Sequence, residues 1–149
     1  MNHGLSWTRG DFMVTTDSEK ISLDVVHAFL ANESNWAKNI PRDVVEQSIE
    51  NSLCFGLFQN EEQIGFARVI TDRATIAYLG DVFVMATHRG QGLSQWLMEC
   101  VMSHPDLLGL RRWILLTGDA HGLYEKFGFT AIAAPQKWME KFAADVYQK

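Results

Sequence analysis

The sequence predicts a single α/β domain spanning residues 1–149, and three observations predict it. Short apolar runs rich in β-branched and aromatic residues alternate with segments whose apolar positions recur at i, i+3 and i+4. The chain carries no internal repeat, low-complexity tract or Pro/Gly/Ser linker at which a second domain would begin. Its 149 residues, 47% hydrophobic and 21% charged, suit one core that buries about two-thirds of the unfolded surface.

The first strand is expected at "DFMVTT", residues 11–16. "ISLDVVHAFLANE" has helical spacing, with Ser22 as N-cap and Ile21 and Val26 placed as a hydrophobic staple across its first turn. After the loop "SNWAKNI", Pro41 opens a second helix, "PRDVVEQSIENS", in which Val45 and Ile49 share a face. "LCFGLF" and "QIGFARVI", separated by the polar "QNEE", read as a hairpin. "TIAYLGDVFVMA", residues 75–86, alternates only loosely, as a central strand covered on both faces does. Leu93, Trp96, Leu97, Cys100 and Val101 then mark one face of a helix that stops before Pro105. "RRWILLT" reads as another buried strand, "DAHGLYEKF" as a short helix closed by Gly128, and "FTAIAA" as a strand. In "KWMEKF" two patterns compete, since Trp138 and Phe142 would share one side of a helix; a last strand is the expectation adopted.

Composition narrows the function classes. No stretch approaches the roughly 18 apolar residues of a membrane span, and "MNHGLSWTRGDF" lacks the apolar core of a signal peptide, so a cytoplasmic protein without a membrane partner is expected. A formal charge of -5, with 13 scattered Lys and Arg, argues against nucleic acid as a partner and favours a cationic or neutral one. Cys54 and Cys100 lie far apart without companion histidines, so two reduced, buried thiols are expected, with neither disulfide nor metal. His27 and His104 read as structural.

The chemistry concentrates in "HRGQGLSQWL", residues 88–97, between the central strand and the following helix. A helix N-terminus there offers unpaired N–H groups and a partial positive charge to an anion. A Cβ at position 90 or 92 would hold a phosphate oxygen away from those donors, and glycine permits the positive φ that turns successive N–H groups inward. A tight turn without ligand would use the same glycines. No Gly-Lys-Ser/Thr follows and position 95 is Gln, so neither the P-loop nor the dinucleotide fingerprint fits.

"RGQGLS" resembles a different signature, the Arg/Gln-x-x-Gly-x-Gly/Ala of the GNAT superfamily of acyl-CoA-dependent N-acyltransferases. The resemblance covers nearly the whole chain: a valine-rich strand enters the motif through "VFVMATHRGQG", a helix follows, and "DAHGLYEKFGF" is similar to the family's Ala-x-x-x-Tyr-x-x-x-Gly-Phe at Ala120, Tyr124, Gly128 and Phe129. Two positions depart, Ser94 where the motif ends in Gly or Ala and Thr117 where many members place an asparagine on the cofactor.

The resemblance implies a mixed seven-stranded sheet with about four flanking helices, and direct transfer of an acetyl group from acetyl-CoA to a primary amine of a small molecule or peptide. A non-catalytic acyl-CoA sensor of the same fold is the alternative, and a binder of other nucleotide phosphates a third reading. It further implies that Gly90, Gln91, Gly92, Leu93 and Ser94 wrap the CoA pyrophosphate and that Phe83 and Val84 bond the pantetheine arm as a sheet edge would. Arg89 would support phosphate or face solvent; Thr117 stands at the asparagine position. Tyr124 is implied as the acid, a phenol near 10 delivering a proton to a thiolate of ordinary basicity, about 8.5. Asp81, a carboxylate in an otherwise apolar strand, is the leading base, or else it binds a backbone N–H at a strand irregularity or holds a water. His121 is a second base candidate or a surface group. Trp36 lies in the segment resembling the family's substrate-lining loop, as an aromatic wall or as an indole packed on the second helix. The one assembly left open is a homodimer.

Overall fold

The computed structural model describes residues 4–148. Strands β1 (Ser6–Arg9) and β2 (Phe12–Thr15) form a tight hairpin whose two-residue turn uses Gly10 at φ +63°. Helix α1 (Leu23–Asn32) starts where Ser22 Oγ accepts the Val25 N–H at 3.1 Å, the expected cap. Helix α2 (Arg42–Glu50) follows Pro41. Strands β3 (Leu53–Gln59) and β4 (Glu62–Thr71) are joined through Asn60 and Glu61, both at positive φ, which matches the twist of the hairpin. Then come β5 (Ile76–Val84), α3 (Leu93–Met102), β6 (Arg112–Leu115) and α4 (His121–Glu125).

The strands lie in sequence order, β1 to β6, and all neighbours are antiparallel except β5 and β6. A parallel pair needs a crossover connection, and α3 supplies it. Alternation along the strands sends Cys54, Phe66 and Phe83 toward α1 and α2, while Ala67, Val69, Ala77 and Leu79 face α3 and Tyr124 of α4. Phe29 of α1 stacks on Phe83 with ring centroids 3.8 Å apart. Both cysteines are buried, and burial pushes each thiol up to about 12, the state of an unreactive side chain. Among the described residues no helix is long and apolar enough to cross a membrane.

Two expected strands are not formed. Residues 129–134 and 137–142 run as irregular chain around a single 3-10 turn at Pro135–Lys137 and join no ladder. With β1 gained and these two lost, the sheet has six strands among the described residues rather than seven. A β-compatible residue pattern needs an edge to pair with, and the chain does not lay this segment along β6. Strand β1 forms without such a pattern: it is short, polar and largely exposed.

His104 is buried, its Nδ1 accepting the Asp106 N–H at 3.1 Å and its ring edge-on to Phe55. Burial pushes its pKa below the ordinary value, with Arg73 adding to this and Asp106 opposing it. The unfolded chain therefore binds the proton first, so stability is lost as pH falls from about 6.5 through the lower folded value. Urea melts at descending pH are expected to show that loss, and His104→Gln, which keeps an acceptor for Asp106, is expected to flatten it. An unchanged acid limb in the variant would remove His104 as its source.

Candidate active site

Register between β4 and β5 runs evenly from Thr71↔Ala77 to Arg68↔Gly80 and resumes at Phe66↔Phe83, so Asp81 and Val82 stand opposite Ala67 alone. That is a β-bulge, which bends the strand and re-aims a side chain. Asp81 takes φ +54° there, a left-handed conformation that Asp and Asn tolerate better than other non-glycine residues. Its carboxylate is fixed from two sides. Arg68 Nε donates to Oδ2 at 2.7 Å, and the Trp36 indole N–H donates to Oδ1 at 2.9 Å. The Asp81 and Arg68 side chains are only 11% and 17% exposed, whereas Trp36 is 52% exposed and free to meet a ligand. Arg68 also donates to Ser52 Oγ. Burial, followed by the nearby charge of Asp81, raises the Tyr78 phenol, so Tyr78 lies near that carboxylate.

Beyond the bulge β5 loses its other neighbour. Pairing with β6 ends at Leu79↔Leu115, while β5 continues to Val84. Met85 N–H donates to Ile64 O at 2.8 Å, so by alternation the Val84 N–H and carbonyl turn the other way, into the gap. Arg89 Nε donates to that Val84 carbonyl at 3.0 Å, which draws the following loop against the strand. Of the two residues expected to bond a pantetheine arm, Val84 alone has main-chain groups in the gap. Phe83, by the same alternation, faces β4, and its ring stacks on Phe29.

The gap opens onto the glycine loop, where Gly90 and Gly92 take φ +81° and +76°. A Cβ built on either would meet nothing within 4 Å, so the backbone conformation, rather than protein packing, requires glycine, and the space beside it is open. Helix α3 closes its first bond from Trp96 N–H to Gly92 O; the Leu93, Ser94 and Gln95 N–H groups have no protein acceptor among the described residues, and Gly92 brings no capping side chain. Leu93 and Ser94 border a hollow of about 150 Å³ that Val84, His88, Arg89, Gly90 and Gly92 also line. Gln91, at the exposed tip, folds back to the His88 carbonyl. His88 holds the loop to β3 through Gln59 at 2.8 Å. On the far side of Gly92, Arg9 lies over the Trp96 ring at 5.9 Å.

Tyr124 is buried, its ring edge-on to Phe129 and packed in the cluster that holds Val84 and Leu93. Burial, with the charge of Asp119 second, raises its pKa above the ordinary 10, so the phenol stays protonated through neutral and mildly alkaline pH. The hydroxyl makes no hydrogen bond among the described residues, yet no enclosed side-chain oxygen lacks a partner, so it is not sealed into the core. Thr117 Oγ1 accepts the Ala120 N–H at 3.0 Å and so holds the start of α4 just past β6. His121 is exposed, and His27 ties α1 to the Ile40 carbonyl.

The fold thus brings Trp36 to Asp81 across 45 residues and gathers Val84, Arg89 and the glycine loop around one hollow. Two participants were missed. Arg68 carried the same signal as Asp81, a charge inside an apolar strand. Lys126 bonds Gln95 in the first turn of α3 at 3.2 Å, setting a cation near the free N–H groups, and nothing local in the sequence marks it.

The donor set suits an anionic, extended ligand: unpaired N–H groups at a helix N-terminus, flanking Arg and Lys, and a strand edge leading inward. No group of three or more His, Cys, Asp or Glu that could hold a metal occurs among the described residues.

Comparison with known proteins is consistent with that geometry. The family model "Acetyltransferase (GNAT) domain" matches residues 50–131. A Gibberella zeae protein assigned as an acetyltransferase is 33% identical over 144 residues, covering 81% of this chain and 80% of its own. A crystal structure of a Xanthomonas campestris pv. campestris protein assigned to the GNAT family superposes with a TM-score of 0.90 at 49% identity, over 93% of this chain and 97% of its own. A Clostridium acetobutylicum structure with acetyl-CoA shares the fold at 15% identity, TM-score 0.60, over 88% of this chain and 94% of its own.

Proposed function

Because this chain belongs to the GNAT family of acetyltransferases, we propose that it transfers the acetyl group of acetyl-CoA directly to a primary amine of a small molecule or peptide. The observation that carries the reading is the opening beside β5: its pairing with β6 stops at Leu79 and the freed edge runs into the unpaired N–H groups of α3. The Clostridium relative with acetyl-CoA adds support at the level of fold.

When bound, acetyl-CoA supplies a thioester whose acetyl carbon is the electrophile. The N–H groups of Leu93, Ser94 and Gln95 meet the pyrophosphate through the space left by Gly90 and Gly92, with Arg89 and Lys126 adding positive charge. Val84 offers its main chain to the pantetheine arm, and Thr117 stands past β6 where a further contact would form. Tyr124 gives its proton to the departing sulfur as the C–S bond breaks, and recovers it from solvent. On the opposite side Asp81, oriented by Arg68 and Trp36, would hold the incoming ammonium and take up one of its protons for release to solvent; the freed nitrogen would bond to the acetyl carbon and lose a second proton to solvent as the C–S bond breaks, with Trp36 and Tyr78 as an aromatic wall for the acceptor.

Thiol release from acetyl-CoA, measured across polyamines, aminoglycosides, amino acids and peptide N-termini, tests the proposal. Steady turnover with at least one amine class is expected. Tight CoA binding with no turnover anywhere favours the sensor, and tighter binding of ATP than of CoA favours the other-nucleotide reading.

Asp81→Asn examines the acceptor side. Asn keeps the shape and tolerates the left-handed backbone, so the bulge survives while the charge is lost. kcat/KM is expected to fall by roughly 10² near neutral pH and to recover partly at higher pH as free amine accumulates. Full activity at pH 7 would leave Asp81 only the task of holding the bulge.

A further inference from the structure

Arg68 stands opposite Cys54 on β3 and Gly80 on β5, on the sheet face turned toward α1 and α2. The Nε and Nη2 hydrogens of a guanidinium form one edge, which a carboxylate ordinarily fills with both oxygens. Here that edge is half filled. Asp81 Oδ2 accepts from Nε at 2.7 Å, but Oδ1 is turned to the Trp36 indole at 2.9 Å, and Ser52 Oγ accepts from Nη1 at 3.2 Å. Nη2 is left with no acceptor among the described residues. No enclosed side-chain nitrogen or oxygen among them lacks a partner, so Nη2 opens onto space that a ligand can reach. The Tyr78 hydroxyl is likewise without a hydrogen bond among the described residues, and its ring lies across Gly80, where a Cβ would meet Cε1 at 3.1 Å. Burial raises that phenol, the charge of Asp81 adds to the shift and that of Arg68 opposes it, so the hydroxyl stands near both.

The Arg68–Asp81 pair carries no net charge. An acceptor bearing only cations, such as a polyamine or an aminoglycoside, gains from Asp81 and loses to Arg68, whereas one that brings its own anion gains from both. Resting on the acetyl-transfer reading above, we propose that the acceptor is a free α-amino acid, whose ammonium meets Asp81 while its carboxylate takes the open Nη2 donor of Arg68 beside the Tyr78 hydroxyl. One guanidinium edge both touches Asp81 and offers Nη2, so the cation and anion positions are adjacent, as are an amine and a carboxylate borne by a single carbon. A peptide N-terminus lacks the anion at that place, because its first carboxyl group is an amide. The amino-acid side chain meets the exposed part of Trp36. Arg68 is thereby a specificity-determining residue as well as the group that orients Asp81.

Calorimetric titration of the CoA-bound protein with α-amino acids and with their amides reads the preference without turnover, and thiol release from acetyl-CoA reads it in kcat/KM. The acid of each pair is expected to be favoured by roughly tenfold or more, the effect of one charge-assisted hydrogen bond. The amides have the more acidic ammonium and so more free amine at a given pH, a bias that runs against this result. Arg68→Lys keeps a cation beside Asp81 but loses the planar fork, and is expected to remove most of the acid-over-amide preference. Tyr78→Phe is expected to reduce it by a smaller factor. No binding of any amino acid, equal handling of acids and amides, a preference for polyamines, or a preference for acids that Arg68→Lys leaves intact overturns the inference, and turnover of any amine in those cases leaves acetyl transfer standing. Preferred binding of the acids without turnover of any amine supports the carboxylate site and overturns the transfer reading instead. Should Arg68→Lys not fold, the ratios for the parent and for Tyr78→Phe decide.

Discussion

Tyr124→Phe is expected to lower kcat for acetyl transfer by roughly 10² to 10⁴, about 3 to 5 kcal/mol of barrier, while changing stability by no more than about 1 kcal/mol. The ring that packs against Phe129 is kept, and the oxygen removed makes no hydrogen bond among the described residues, so the fold has little to lose. The reaction has more to lose, because without a positioned phenol the thiolate departs unprotonated or draws on water. Acetyl-CoA affinity should change little, since the proton moves only as the C–S bond breaks. The raised pKa of Tyr124 fixes the sign of the pH dependence: the acid is present at neutral pH, and its contribution is lost only as pH climbs above the ordinary phenol value near 10. A variant that turns over like the parent would make Tyr124 a core tyrosine.

Gly92→Val is expected to raise the KM for acetyl-CoA by roughly tenfold or more, the equivalent of about 1.4 kcal/mol or greater in binding. The substitution has two physical effects. At φ +76° a β-branched residue is strained by about 1–2 kcal/mol, and the branch occupies the open space beside the free N–H groups of α3. Thermal melts report the strain, which is common to the free and the bound protein and so drops out of binding, whereas calorimetric titration with CoA reports the obstruction of the cradle, so the two can be separated. Unchanged CoA affinity would remove the glycine loop from cofactor binding.

Much of this was legible from local chemistry. The Ser22 cap, the helix after Gly92, the hairpin across "QNEE", whose turn tightens to Asn60 and Glu61, and the short helix bearing Tyr124 each depend on neighbours within a few residues. What could not be read depended on partners far along the chain. A charge in an apolar strand announced that Asp81 needed company, but Arg68 and Trp36 were selected by the register of β4 against β5 and by the loop after α1. Phe83 and Val84 looked equivalent until the Met85–Ile64 bond fixed which of them faces the gap. "FTAIAA" and "KWMEKF" have the residues of strands, but a strand also requires a ladder to join, and among the described residues neither segment joins one.

Transfer of a proton from Tyr124 to the leaving sulfur in the gap beside β5 is tested most directly by the leaving-group dependence of the Tyr124→Phe defect. The rate of acetyl transfer to one amine would be measured for parent and variant with a series of acetyl thioesters of increasing thiol acidity. The predicted result is a defect that shrinks steadily as the thiol becomes more acidic, because a better leaving group needs less protonation. A defect of constant size along the series, or none at any donor, would contradict the assignment.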